Sequence, residues 1–291
     1  MLTLLATYGL PITVSLISGL AWWFIFSYYS PQNTIKATYS AIAFVLGICV
    51  VPIVLILEDY SFSISQINTN FLNPFFVPKT PGDLLAPFIF SFLLAACIEE
   101  GTKFIILRKF FDVAPINQVV DGMKLGVAMG LGFACLENIF YFLNIYSDGL
   151  SGIQIGLVLI LRGLLPTLAH AIYGVMMGYY LALSKFHPGH KTQLLKKSLA
   201  LSVLAHGFFN FFLITNLGFY SVFMIGFFFF VSIMWYSDRK NLTLYIESKG
   251  KTLIVPPFLA EQLEVEILLG KGVSQERYLE KLWGLLMNKK D

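Results

Sequence analysis

The sequence predicts an all-α protein, a polytopic bundle of about seven to eight transmembrane helices followed by a short helical cytoplasmic tail. Three observations predict it. Of 291 residues, 57% are hydrophobic and 13% charged, with a mean hydropathy of +0.73. That charge fraction is about half that of a soluble domain and cannot build a water-exposed surface. Apolar runs long enough for a span of about 17–25 residues recur at 6–29, 37–57, 84–107, 119–143, 153–184, 198–214 and 218–236. The basic residues between those runs fall almost entirely on one side, as membrane insertion requires.

The first run has no Lys or Arg before Lys36, so it lacks the charged start of a signal peptide and reads as a retained span. Trp22, Trp23, Tyr28 and Tyr29 make an aromatic interface near its end. Residues 58–83 read as a turn-rich loop carrying Asn73-Pro74, Pro78 and Pro81-Gly82. The fifth run is too long for one upright helix, and Pro166 is expected to divide it into a tilted piece at 153–165 and a helix at 166–184.

Lys36, Arg108, Lys109, Lys185, Lys191, Lys196, Lys197, Arg239 and Lys240 share one side, and Lys79 alone falls on the other. This puts the N-terminus outside and the C-terminus in the cytoplasm of a multi-pass cell-membrane protein. The domain reading is 1–237 in the membrane, with a core at 84–214, and 238–291 as the tail. Helical spacing of apolar residues across 257–291, with Ser274 as an N-cap and Glu276 in the first turn, predicts one or two short helices there.

The net charge of +3 says nothing by itself about nucleic acid, but there is no basic tract interleaved with aromatics of the kind that binds it, so no nucleic-acid partner is expected. Cys49, Cys97 and Cys135 sit in apolar runs and read as buried thiols.

The run 84–107 breaks the apolar rule. It holds Glu99, Glu100 and Lys103, and a carboxylate at the centre of an isolated membrane helix costs about 2.5–3.5 kcal/mol. Lys103 lies four residues after Glu99 and three after Glu100, so it can neutralise either acid. Other spans carry costly groups as well. Glu137 and Asn138 follow Gly126, Gly130 and Gly132, glycines that allow close helix approach. His170 precedes Gly174 and Gly178 at spacings of four, and His206 and Asn210 share a face.

Counted at about 1.5 Å per residue from the basic end of each span, Glu99 and His206 lie roughly 14 Å deep, and Asn210, Glu137 and His170 roughly 20–22 Å deep. Six such groups on four helices find their cheapest partners in one another. The chemistry they support is water activation, with a carboxylate as general base and a His or an Asn amide holding an oxyanion. The Glu and His side chains are also the ligand types of a catalytic zinc site, for which Glu100, Glu137, His170 and His206 are the candidates.

Glu99-Glu100-x-x-Lys103, Phe133-x-x-x-Glu137, His170 in AHAIYGVMMGYY and His206-x-x-x-Asn210 occur in one order, each in its own span. The pattern over 84–214 resembles the PrsW family of intramembrane proteases, within the CAAX-prenyl-protease and bacteriocin-processing superfamily. The resemblance implies an endopeptidase that uses Glu/His-activated water, with or without a metal such as zinc. Its implied substrate is a membrane-bound protein in the bilayer, a single-span protein or an anti-sigma factor.

Carried over, Glu99 or Glu100 is the base, with Glu100 preferred because Lys103 can also take up Glu99. Glu137 is a second acid that shares a proton or positions water. His206 and Asn210 hold the oxyanion, and His170 orients water or protonates the leaving amine. Family members often carry Asp where this chain has Asn210, a poorer metal ligand, which favours the glutamate-and-water mechanism.

Two other readings compete, a proton- or cation-coupled transporter that uses the same acids, although no internal repeat supports it, and a non-catalytic membrane scaffold. There is no HExxH motif, and Gly149-Leu150-Ser151-Gly152 resembles the serine motif of rhomboid proteases only in a loop. Arg162 and Lys124 read as snorkelling or helix-end charges.

Overall fold

A computed structural model describes residues 9–28, 35–72, 76–145, 152–240, 244–248 and 251–255. Among the described residues, seven helices are long and apolar enough to cross a membrane. They are α1 (Leu10–Tyr28), α2 (Ala37–Ser65), α3 (Pro81–Val113), α4 (Val119–Ile145), α5 (Gly152–Phe186), α6 (Lys191–Ile214) and α7 (Gly218–Lys240). The chain is a multi-pass helical membrane protein, as the composition predicts. Its outer surface is apolar, with Phe24, Ile56 and Phe223 well exposed, which suits lipid and not water.

Helix α4 is the central element. Its most apolar window is 89% buried, against 17–39% for the other spans. Glycine makes this possible, because a Cβ at Gly122, Gly126 or Gly130 would run into Gly178, Gly174 or His170 of α5, and Gly132 meets the Phe44 carbonyl of α2. Backbone therefore packs on backbone at three successive turns of the α4–α5 pair, the small-residue packing typical of membranes. Cys135 of α4 donates to the Ser15 carbonyl of α1 (3.3 Å), and Trp23 Nε1 donates to Ser40 Oγ of α2 (2.9 Å).

Three details depart from the sequence expectations. Helix α2 runs two turns past residue 57, through Glu58 and Asp59, and ends at Gln66 in the left-handed region (φ 50°). Much of the expected 58–83 loop is therefore helical. Its far end opens α3, where Asp83 accepts from the amides of Lys79 (2.8 Å) and Thr80 (2.9 Å) in a capping box with Pro81 at the first position.

Pro166 does not divide α5, which is a single helix of 35 residues. Proline leaves the Arg162 carbonyl without its usual amide donor, and Thr167 Oγ1 reaches that carbonyl at 3.5 Å. Cys49 and Cys97 are exposed and only Cys135 is buried. An apolar run in a membrane protein can face lipid, so it does not imply burial within the protein.

Within α3, Phe90–Ala96 winds as a π-helix directly before Cys97. Such wide turns often accompany functional sites. Beyond α7 the described part of the tail is an antiparallel pair of strands, β1 (Leu244–Ser248) and β2 (Lys251–Val255), with Leu244 opposite Val255. Tyr29, residues 149–151 and the expected helices of 257–291 lie outside the described residues.

Candidate active site

Four helices bring the costly polar groups to one place. Glu99 and Glu100 stand on the first turn of the α-helical part of α3, one turn before Lys103. The Lys103 ammonium lies 3.2 Å from Glu99 Oε2, 2.8 Å from Glu100 Oε1 and 3.2 Å from His170 Nδ1 of α5. The sequence left open which acid it would neutralise, and in the structure it holds both. Its alkyl stem brings the charge over the Phe133 ring, 3.5 Å from the centroid.

The histidines bridge the cluster. His206 Nδ1 is 2.9 Å from Glu100 Oε1, and its Nε2 is 3.1 Å from Asn210 Nδ2 and 3.7 Å from Glu99 Oε1. A carboxylate only accepts and an ammonium only donates, so the neighbours assign the protons. Neutral His206 carries its proton on Nδ1, toward Glu100. Neutral His170 carries its proton on Nε2, toward Glu137 Oε2 at 2.9 Å.

Glu137 has a second partner in Arg162 Nη2 at 2.6 Å. Arg162 also reaches Asn138 Oδ1 through Nε (3.1 Å) and lies over the Tyr141 ring, and Asn138 in turn holds Thr167 (3.0 Å). The expected snorkelling role for Arg162 is thus replaced by an ion pair inside the cluster. The available signal was its place nine residues into the fifth apolar run, well away from either end.

Exposure grades the site. Glu100, Lys103, His206, His170 and Glu99 are buried, whereas the Glu137 and Arg162 side chains are 24% and 19% exposed. Glu58, which the sequence reading placed in a loop, is a further acid near the cluster but makes no direct contact with it among the described residues. It lies one helical turn past the buried Val54 of α2, half-buried and within electrostatic reach of Glu99, Glu137 and Lys103.

Glu99, Glu100, His170 and His206 can each offer a ligand atom, and the four atoms lie within 4.8 Å of one another. Carboxylate oxygen and imidazole nitrogen are zinc donor types, held at about 2.0–2.2 Å from the ion, so the set fits a divalent ion in kind. Glu137, a metal candidate from sequence, is outside this group of four and is engaged by Arg162 and His170.

Comparison with known proteins agrees with the geometry. The profile of a family described as "PrsW family intramembrane metalloprotease" matches residues 36–236, well over half of the chain. The chain belongs to the PrsW family. The match takes in α2, so it is wider than the 84–214 core of the sequence reading.

Among curated PrsW-family relatives, Protease PrsW of Shouchella clausii is 36% identical over 148 residues, covering 50% of this chain and 62% of the relative. Protease PrsW of Bacillus subtilis is 34% identical over 155 residues (53% and 66%), and that of Clostridioides difficile 28% over 165 (55% and 66%). The chain thus spans under two thirds of the length of these relatives. No solved structure matches it.

Proposed function

We propose that this PrsW-family chain is an intramembrane endopeptidase that hydrolyses a peptide bond of a membrane-bound protein. One observation carries the reading. Glu99 Oε1 takes no hydrogen bond from the described residues, yet it faces His206 Nε2 at 3.7 Å, where Asn210 also converges. A base and two groups able to hold an oxygen therefore meet at one point.

Glu99 is the base in this arrangement, in place of the Glu100 preferred from sequence, because Glu100 Oε1 is already taken by Lys103 and His206. A water beside Glu99 Oε1 gives its proton to that carboxylate while its oxygen attacks the scissile carbonyl carbon. The Asn210 amide N–H donates to the resulting oxyanion. His206, anchored through Nδ1 on Glu100, offers a second N–H there when its Nε2 is protonated. Collapse breaks the C–N bond, and the Glu99 proton passes to the leaving amine.

Lys103 screens Glu99 from Glu100 throughout. Glu137, clamped by Arg162, fixes the His170 ring. A divalent ion, held by Glu99, Glu100, His170 and His206, would supply Lewis-acid polarisation of the carbonyl.

The substrate class is a single-span protein, with an anti-sigma factor as the narrower proposal, and the basic loops put the C-terminus in the cytoplasm. The test is proteoliposome cleavage of doubly tagged single-span proteins, with and without chelator. Fragments from the native chain and none from Glu99→Gln are expected. Undiminished cleavage by that variant refutes the mechanism.

A further inference from the structure

Tyr173 of α5 is the aromatic residue of the cluster that the proposed mechanism leaves without a task. It is 3% exposed. Its ring lies flat on His206, with centroids 4.9 Å and planes 15° apart, and edge-on to His170 at 5.6 Å. The phenol oxygen is buried and has no hydrogen-bond partner. Ser202 of α6 comes close, but its hydroxyl donates to the Tyr173 backbone carbonyl (3.1 Å) and leaves the phenol alone.

A buried hydroxyl without a partner loses its hydration and gains nothing in return. Phenylalanine would fill the same space without that penalty. Of the four described side chains in this condition, Ser15, Ser91, Tyr173 and Ser232, only Tyr173 stacks on a histidine of the cluster. Its hydroxyl is also within electrostatic reach of Glu100, Glu99 and Glu137. An orphan donor kept at the polar centre of a membrane protein is what a preorganised site requires, since its partner comes with the reacting molecule.

We propose that Tyr173 is a further catalytic residue of this site, its phenolic O–H donating to the carbonyl oxygen of the scissile bond as that oxygen becomes an oxyanion. This rests on the peptidase reading above. The phenol keeps its proton, so no bond is made or broken at Tyr173 and the step is purely a hydrogen bond that strengthens in the transition state. Stacking on His206 couples the two groups, so the phenol and the imidazole approach the oxyanion from one packed unit.

The test is Tyr173→Phe in the full chain, reconstituted in proteoliposomes with a doubly tagged single-span reporter that the native chain cleaves. The expected result is a fall in kcat of about 10²–10³-fold, the usual loss for one oxyanion donor, with KM changed by less than about twofold. The midpoint of thermal unfolding in detergent stays the same or rises, because only an unsatisfied group has gone. A purely structural tyrosine gives the opposite pattern, a lowered midpoint with unchanged kcat for the folded fraction. Unchanged kcat, a lowered midpoint, or a variant that fails to reach the membrane each overturns the assignment. If the native chain cleaves no reporter, it is the peptidase reading that fails, and the unfolding midpoint still tests whether the hydroxyl is unpaired.

Discussion

Lys103 and His170 are 67 positions apart in the chain, on different helices, and the ammonium of one lies 3.2 Å from the ring nitrogen of the other. The same ammonium holds Glu99 and Glu100. Three of the four residues whose ligand-type atoms lie within 4.8 Å of one another are therefore in contact with the protein's own cation.

Replacing that cation exposes the competition. Lys103→Met leaves two buried carboxylates without their partner, and breaking a buried pair in this way costs about 3–5 kcal/mol. The unfolding midpoint in detergent should drop and recover on addition of zinc, and the variant should retain more zinc through gel filtration than the native chain does. Equal metal content in the two proteins would show that lysine and metal do not share donors.

The two adjacent acids should separate in experiment. Glu99→Gln removes the negative charge and basicity of the proposed base and should lower cleavage by about 10²–10⁴-fold, the range for a general base, with a small change in stability. Glu100→Gln weakens contacts to both Lys103 (2.8 Å) and His206 (2.9 Å), so it should lower the unfolding midpoint more. Matched midpoints for the two variants would count against this division of labour.

Arg162→Gln should reduce cleavage by about 10–100-fold, as loss of a partner behind a reacting group commonly does. If Arg162 acts only through Glu137, the same change in a Glu137→Gln background adds no further loss. A full additional loss in the double variant would mean that Arg162 itself meets the substrate.

Glycine positions offer a contrast that needs no substrate. Nothing lies within 4 Å of a Cβ at Gly101, whereas one at Gly130 collides with the His170 carbonyl. Gly101→Ala should be neutral or stabilising by up to about 1 kcal/mol. Gly130→Ala should separate α4 from α5, lowering both the yield of folded protein and its activity. Equal behaviour of the two in size-exclusion profiles and thermal unfolding would argue against the packing described.

The architecture was legible because hydropathy alone marks a span, and all seven runs correspond to helices. Helix ends were less legible. Glu58 and Asp59 look like a loop to any hydropathy reading, yet α2 continues through them, with Glu58 half-buried one turn past Val54 and Asp59 exposed. Periodicity placed the acids and histidines at membrane depth and on suitable faces, but it could not say which nitrogen meets which oxygen. Arg162 was misjudged because a long basic side chain in an apolar run normally reaches for the interface, and its acidic partner lies on a different helix. The hairpin at 244–255 carries no signal comparable in strength to a span, since two short strands depend on each other.

The glycine seam between α4 and α5 has a mechanical consequence. Where main chain rests on main chain, no rotamer change can absorb displacement, so the wall that carries Glu137 and His170 is stiff. In the proposed peptidase, admission of a polypeptide then falls to another seam, where α3 and α6 meet through the rings of Phe88, Phe92, Phe208 and Phe211. These rings meet edge to face, side chain on side chain, so rotamer changes can absorb displacement there, which makes that seam the yielding side of the bundle.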